Sequence, residues 1–248
     1  MAVNEKDIVD TRKRFVSPKG VLEPYAYLNK PDYGRDHFVN ERGQYKASIT
    51  CDLSDPKVQQ FVKFIDDVYE RNWALRLADH KENPPVVQRG KKALEPYKGN
   101  LPYVENDDGT VTFNFSAWAS YLKDGENKAI NLSFADAKGK PVRGADVPNI
   151  STGSELRVSF KALPYGWSNI AGASVKLQLQ GVMLIDVKTS SDGADEFAEF
   201  AEEEGFEAGD YTPTHKSSEA GDYDDETPWE HQGNADPDSM GVQGTGDF

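Results

Sequence analysis

Cysteine, histidine and long apolar runs are all scarce in this chain of 248 residues. The single cysteine, Cys51, permits neither an intrachain disulfide nor a cysteine-based metal cluster. The four histidines, His37, His80, His215 and His231, are scattered without ligand spacing. No apolar run reaches the length of a membrane span, so no transmembrane helix is expected. The stretch MAVNEKDIVD lacks the basic-then-apolar order of a secretion signal, and a soluble protein of a reducing compartment is the expectation. Motifs of catalysis are missing as well: no nucleophile elbow, no HExxH, no P-loop, and no GxGxxG after a strand. Asp66-Asp67 reads as solvated helix surface and Asp107-Asp108 as a turn, which leaves no held carboxylate pair. Neither an enzyme nor a bound metal or other cofactor is expected.

Basic residues are missing from one region only. Residues 189–248 hold one Lys or Arg against 18 Asp and Glu, a net charge of −17. Residues 1–188 hold 27 against 24, a net charge of +3. The formal charge of −14 therefore describes neither part, and the two are read separately. The acidic segment has no apolar period and is rich in Gly, Asp, Glu, Ser and Pro. Such a composition cannot offset the entropy of ordering, so disorder is predicted beyond about Ser190. Within it, DEFAEFAEEEGF can form a short helix on binding.

Residues 1–20 read as a loose N-terminal arm with a basic run at Arg12, Lys13 and Arg14. A strand is predicted over Val21–Leu28, with Pro24 marking an edge or bulge. In YKASITCDL, Tyr45, Ala47, Ile49, Cys51 and Leu53 share one face of a half-buried strand. Asp55-Pro56 is a helix start, and Val58, Phe61, Val62, Ile65, Val68, Tyr69 and Trp73 form an apolar stripe up to about Asp79. Asn83-Pro84-Pro85 ends it. Strands follow in DDGTVTFNFSAWA after a turn at Asp108-Gly109, at Lys128–Phe134, at Leu156–Phe160 and at Val175–Val187, with a bend at Gly181. In the last of these Val175, Leu177, Leu179, Gly181, Met183, Ile185 and Val187 are expected on one face. No βαβ alternation occurs. The prediction is a mainly β protein: a small five-stranded barrel of the oligonucleotide-binding type over residues 21–188, with one long capping helix and an acidic tail over 189–248.

Three loops combine cations with rings. Tyr33, Arg35, Phe38 and Arg42 share one; Arg89, Lys91, Lys92, Tyr97 and Lys98 share another; Arg157, Lys161, Tyr165 and Trp167 lie close together. Cations offset phosphates, and flat rings stack on bases, which is what a binder of single-stranded nucleic acid needs. Each residue taken singly also suits ordinary rim packing or a solvated surface.

The strings EPYAYLNKPDYG (Glu23–Gly34), NPPVVQRGKKALEPYKG (Asn83–Gly99), DGTVTFNF (Asp108–Phe115) and GASVKLQLQGVML (Gly172–Leu184) are specific, and with them the sequence resembles the single-stranded DNA-binding proteins of short-tailed bacteriophages of the T-seven type. The acidic end Asp247-Phe248 looks like that family's too. The resemblance implies an oligonucleotide-binding barrel, a homodimer, and a role in replication and recombination in the cytoplasm of an infected bacterium. It implies coating and annealing of single strands. It also implies contacts to the phage DNA polymerase and primase-helicase through the acidic tail, with Phe248 important. It places the annealing arginine at Arg89, a DNA-contacting tyrosine at Tyr165, and a further contact at Arg42. Asn114, Ser116 and Ser159 stand where relatives tend to carry basic residues, so the expected contact face is less charged. The alternative is an acidic-tailed scaffold or interaction protein without physiological DNA contact.

Overall fold

The structure is a computed structural model that describes residues 5–85, 93–123 and 125–189. Alternation of apolar and polar residues dictates most of its strands. In chain order these are β1 (Phe15–Val16), β2 (Gly20–Leu22), β3 (Tyr27–Asp32), β4 (Gln44–Asp52), β5 (Tyr103–Glu105), β6 (Thr110–Trp118), β7 (Ser120–Lys123), β8 (Glu126–Ala129), β9 (Ser133–Ala135), β10 (Pro141–Val142), β11 (Glu155–Tyr165) and β12 (Ser174–Asp186). The one α-helix among the described residues, α1 (Pro56–Glu82), lies between β4 and β5.

Five strands close on themselves. β2 pairs with β4, β4 with β6, β6 with β12, β12 with β11, and β11 returns to β2. All these pairings are antiparallel except β6–β12, which is parallel. This closed five-stranded ring is the oligonucleotide-binding barrel. Its interior is filled by every second residue: Ala47, Ile49 and Cys51 from β4, Val111, Phe113 and Phe115 from β6, and Leu156, Val158 and Phe160 from β11. The outward residues of the same strands are polar and form the face considered below.

α1 starts where the sequence places it. The Asp55 carboxylate accepts from the Lys57 N–H at 2.8 Å, Pro56 occupies the first turn, and His80 and Lys81 sit in the last turn, where cations suit the helix dipole. The helix runs to Glu82, three residues past the expected end. Its apolar face seats on the barrel through Phe61, whose ring lies 4.7 Å from Phe113 and 5.5 Å from Phe160 between centroids. One buried position is polar. Asn72 is fully enclosed, donates to the backbone carbonyls of Tyr165 (2.9 Å) and Ser174 (3.0 Å), and accepts from Arg76 Nε at 2.7 Å. It ties the helix to the end of β11 and the start of β12.

The structure corrects several expectations. Residues 5–20 are not a loose arm: Ile8 is buried in the core, Phe15 pairs opposite Phe160 and packs its ring on Phe64, and buried Ser17 donates its N–H to the Val158 carbonyl. The apolar residues Ile8 and Phe15 have a place in the core that local pattern does not reveal. The strand expected over Val21–Leu28 breaks into β2 and β3 because Tyr25 takes a positive φ of 62° after Pro24. The strand expected over Lys128–Phe134 is two pieces, β8 in a hairpin with β7, and β9 beside β12. In β12 the inward face switches at Gly181. Ser159 lies opposite Gly181 but Phe160 opposite Leu179, so Gln180 is an extra, bulged residue. Val182 and Leu184 are therefore buried in place of Met183 and Ile185. Gly181 itself is forced by close approach, since a Cβ there would lie 2.6 Å from the Ser133 carbonyl oxygen. Asp66 is not merely solvated: it accepts from the Tyr103 hydroxyl at 2.7 Å.

Candidate nucleic-acid interface

Strand register brings four outward side chains into one row across the barrel. Lys46 on β4 is opposite Ser116 on β6, Ser116 is beside Gln178 on β12, and Gln178 is opposite Lys161 on β11. A parallel step on the same face joins Ser48 to Asn114, whose side chains are hydrogen-bonded at 2.8 Å. Along β11, Arg157, Ser159, Lys161, Leu163 and Tyr165 alternate with the buried residues and so share this exterior. Three of the expected contacts, Arg157, Lys161 and Tyr165, thus stand on one strand face. Asn114, Ser116 and Ser159 occupy the same exterior with no charge.

Arg42 joins them from the loop before β4. Its guanidinium lies 4.7 Å from the Trp118 ring centroid, while Nη2 and Nε donate to the Ser120 carbonyl at 2.9 and 3.3 Å. Lys176, outward on β12, places its ammonium 5.5 Å from the same ring. Two cations thus converge on one half-exposed indole. Burial, and then the neighbouring Arg42 charge, lower the Lys176 pKa from its ordinary value of 10.5. Trp118 and Lys176 were not singled out by the sequence reading. They are 58 positions apart in the chain, and they meet because β6 and β12 pair and the long Lys176 side chain reaches along the sheet to the Trp118 ring.

The pairing of charges sorts the cations. Among the described residues Arg157, Lys161 and Lys176 form no ion pair with a carboxylate, and Arg42 binds only a neutral carbonyl. Lys46 is held by Asp32 at 2.7 Å, and that bond, ahead of the Gly34 N–H, lowers the carboxyl's pKa. Lys98 is held by Glu70 at 2.7 Å.

The remaining expected residues lie elsewhere. Tyr97, Lys98 and Trp167 gather beside α1: the Tyr97 hydroxyl donates to the Ser168 carbonyl at 2.8 Å, and Trp167 packs edge-on against Trp73 and His80. Trp167 is therefore engaged by the helix instead of standing open on the strand face. Tyr165, 39% exposed, sits between the two groups, because its backbone carbonyl is held by Asn72 of α1. Arg35 and Phe38 belong to the β3–β4 loop, where Phe38 is 86% exposed. Gly34 makes that loop possible: its φ is 72°, and a Cβ there would collide with the Phe38 carbonyl oxygen at 2.0 Å. Arg89, Lys91, Lys92, Asp247 and Phe248, and with them the disorder expected of the tail, lie outside the described residues.

Among the described residues no group of three or more His, Cys, Asp or Glu could hold a metal ion. Burial pushes the Cys51 thiol up to about 11, the opposite of activation, and its Sγ faces the Lys19 carbonyl at 3.4 Å. No helix among the described residues is long and apolar enough to cross a membrane.

Comparison with known proteins agrees with this geometry. Residues 19–187 match the family model described as single-stranded DNA-binding protein of bacteriophage T7. The single-stranded DNA-binding protein of Escherichia phage T7 is 43% identical over 221 residues, covering 87% of this chain and 94% of that relative. The corresponding protein of Enterobacteria phage T3 is 43% identical over 223 residues, covering 88% and 95%. The crystal structure of gp2.5, a single-stranded DNA-binding protein encoded by bacteriophage T7, superimposes with a TM-score of 0.65 at 41% identity. It covers 78% of this chain and 99% of that one. With a barrel, an exposed cation–ring face and this similarity along most of its length, the chain belongs to the bacteriophage T7 family of single-stranded DNA-binding proteins, a family of binding proteins and not of enzymes.

Proposed function

We propose that this chain binds single-stranded DNA on the outer face of β4, β6, β12 and β11, and serves phage replication and recombination. The observation that supports this most is the set of cations on one face without carboxylate partners among the described residues, Arg157, Lys161 and Lys176, flanked by the open rings of Trp118 and Tyr165. Phosphates neutralise the cations. Bases stack on the rings, which only an unpaired strand permits, and stacking is tolerant of sequence. Arg42, fixed by the Ser120 carbonyl, adds a positioned guanidinium beside Trp118. Arg35 and Phe38 extend the contact at the loop tip, and Tyr97, Lys98 and Trp167 at the helix side.

Finer roles rest on the family resemblance and on the charge pattern of the sequence. Arg89, Lys91 and Lys92 meet phosphate, and Arg89 promotes annealing of complementary strands. Residues 189–248, net charge −17, compete with DNA for the cationic face and contact the phage DNA polymerase and primase-helicase through Asp247 and Phe248. Two copies associate as a homodimer, and the protein works in the cytoplasm of the infected bacterium. The reading as a scaffold that never touches DNA gives no reason for three cations without ion pairs among the described residues to share one strand face with two exposed rings.

The test is a titration of the full chain with labelled single-stranded and duplex oligonucleotides at moderate salt. Clear preference for the single strand is expected. Equal affinity, or preference for duplex, would reject the proposal.

A further inference from the structure

One cleft adjoins this face and shares Arg157 with it, but most of its lining is not absorbed by this reading. It has a volume of about 890 Å³ and opens between β9, β10 and the bulged part of β12. Three arginines from three separate segments line it: Arg14 ahead of β1, Arg143 after β10, and Arg157 on β11. None forms an ion pair with a carboxylate among the described residues. Like charges around one concavity repel each other, and an entering anion relieves that cost. Arginine also suits a nucleotide better than lysine does, because its planar fork matches a phosphate and its flat face stacks on a base. Phe134 and Met183 supply apolar surface in the same cleft.

The position of the cleft matters. Ser159 and Gln180 line it, and they are the next outward residues after Lys161 and Gln178 of the row described above. The cleft therefore opens onto the proposed single-strand face.

We propose that this cleft seats a second segment of single-stranded nucleic acid beside the one on the strand face, so that one protomer presents two strands to each other. This rests on the single-strand reading and extends it to annealing. Two phosphate backbones repel, and a protein that neutralises both within adjoining sites lowers the barrier to their meeting. An acidic polypeptide segment is the rival occupant. Continuity with the base-stacking face favours the nucleotide.

The experiment uses the full chain with the double substitution Arg14→Glu and Arg143→Glu. Both side chains are exposed and neither belongs to the strand-face row. Two readouts are needed: affinity for a short non-complementary oligonucleotide, and the rate of annealing of two complementary strands. Short-oligonucleotide affinity is expected to stay within about twofold, which also shows that the variant folds, while annealing slows by about tenfold or more. Unchanged annealing overturns the proposal. A parallel loss of oligonucleotide affinity overturns it too, since the cleft would then be part of a single track. Tighter oligonucleotide binding than wild type would assign the cleft to an acidic segment and likewise overturn it. If the wild-type chain itself failed to bind single strands, the fault would lie with the strand-face reading.

Discussion

Replacing Lys176 by methionine separates a residue kept for binding from one kept for folding. Lys176 is half-buried, has no carboxylate partner among the described residues, and shares the Trp118 ring with Arg42. Burial and the Arg42 charge both disfavour its charged form, against the one favourable contact of its ammonium, the Trp118 ring 5.5 Å away. Methionine keeps a long flexible stem without the charge, and urea unfolding should show stability held or raised. Binding should move the other way. One lost phosphate contact reduces the slope of log affinity against log salt by about 0.7 for a single strand, with an affinity loss of about tenfold at moderate salt. The pH dependence has a definite sign. The folded pKa lies below 10.5, so the penalty on the free protein is full at neutral pH and fades as pH rises through the lowered value toward 10.5. A bound phosphate restores the charged form. Wild-type affinity should thus fall in that alkaline window, and the methionine variant should lack this component. A variant that is less stable yet keeps the wild-type salt slope would refute the reasoning.

Tyr165→Ala should cost about 1–3 kcal/mol of single-strand affinity if its ring stacks on a base, with thermal unfolding little changed; unchanged affinity would return it to rim packing. Asn72→Ala removes the donor to two backbone carbonyls and the acceptor of Arg76 Nε, whose guanidinium keeps only the longer contacts to the Pro164 carbonyl and Glu5, and should destabilise the fold by about 1–3 kcal/mol in denaturant unfolding. Loss below about 0.5 kcal/mol would mean that neighbours or water replace it readily.

Local pattern carried much of the fold, and its failures have physical causes. The alternation in β4 and β6 is legible because each strand keeps one face in the barrel from end to end. β12 is legible only as far as the bulge at Gln180, beyond which period two continues in the sequence but the pleat has turned over. Asn72 sits on the helix face that meets the barrel, yet nothing local says that two carbonyls await it. For the interface, cation–ring clustering singles out residue types, but tertiary partners decide which of those side chains stand open. Glu70 takes Lys98, Trp73 and His80 take Trp167, while Arg157 and Lys161 share the outward face of β11 with Tyr165. Trp118 and Lys176 escape notice because their neighbours in sequence are ordinary alternating strand residues, and their meeting depends on strand order.

Ultraviolet cross-linking of the full chain to a single-stranded oligonucleotide, followed by mass spectrometric mapping, tests the central claim most directly. Cross-links are predicted at Trp118 and Tyr165, the rings beside Arg157, Lys161 and Lys176. Cross-links confined to exposed aromatics remote from that face, such as the 88% exposed Tyr25, would contradict it.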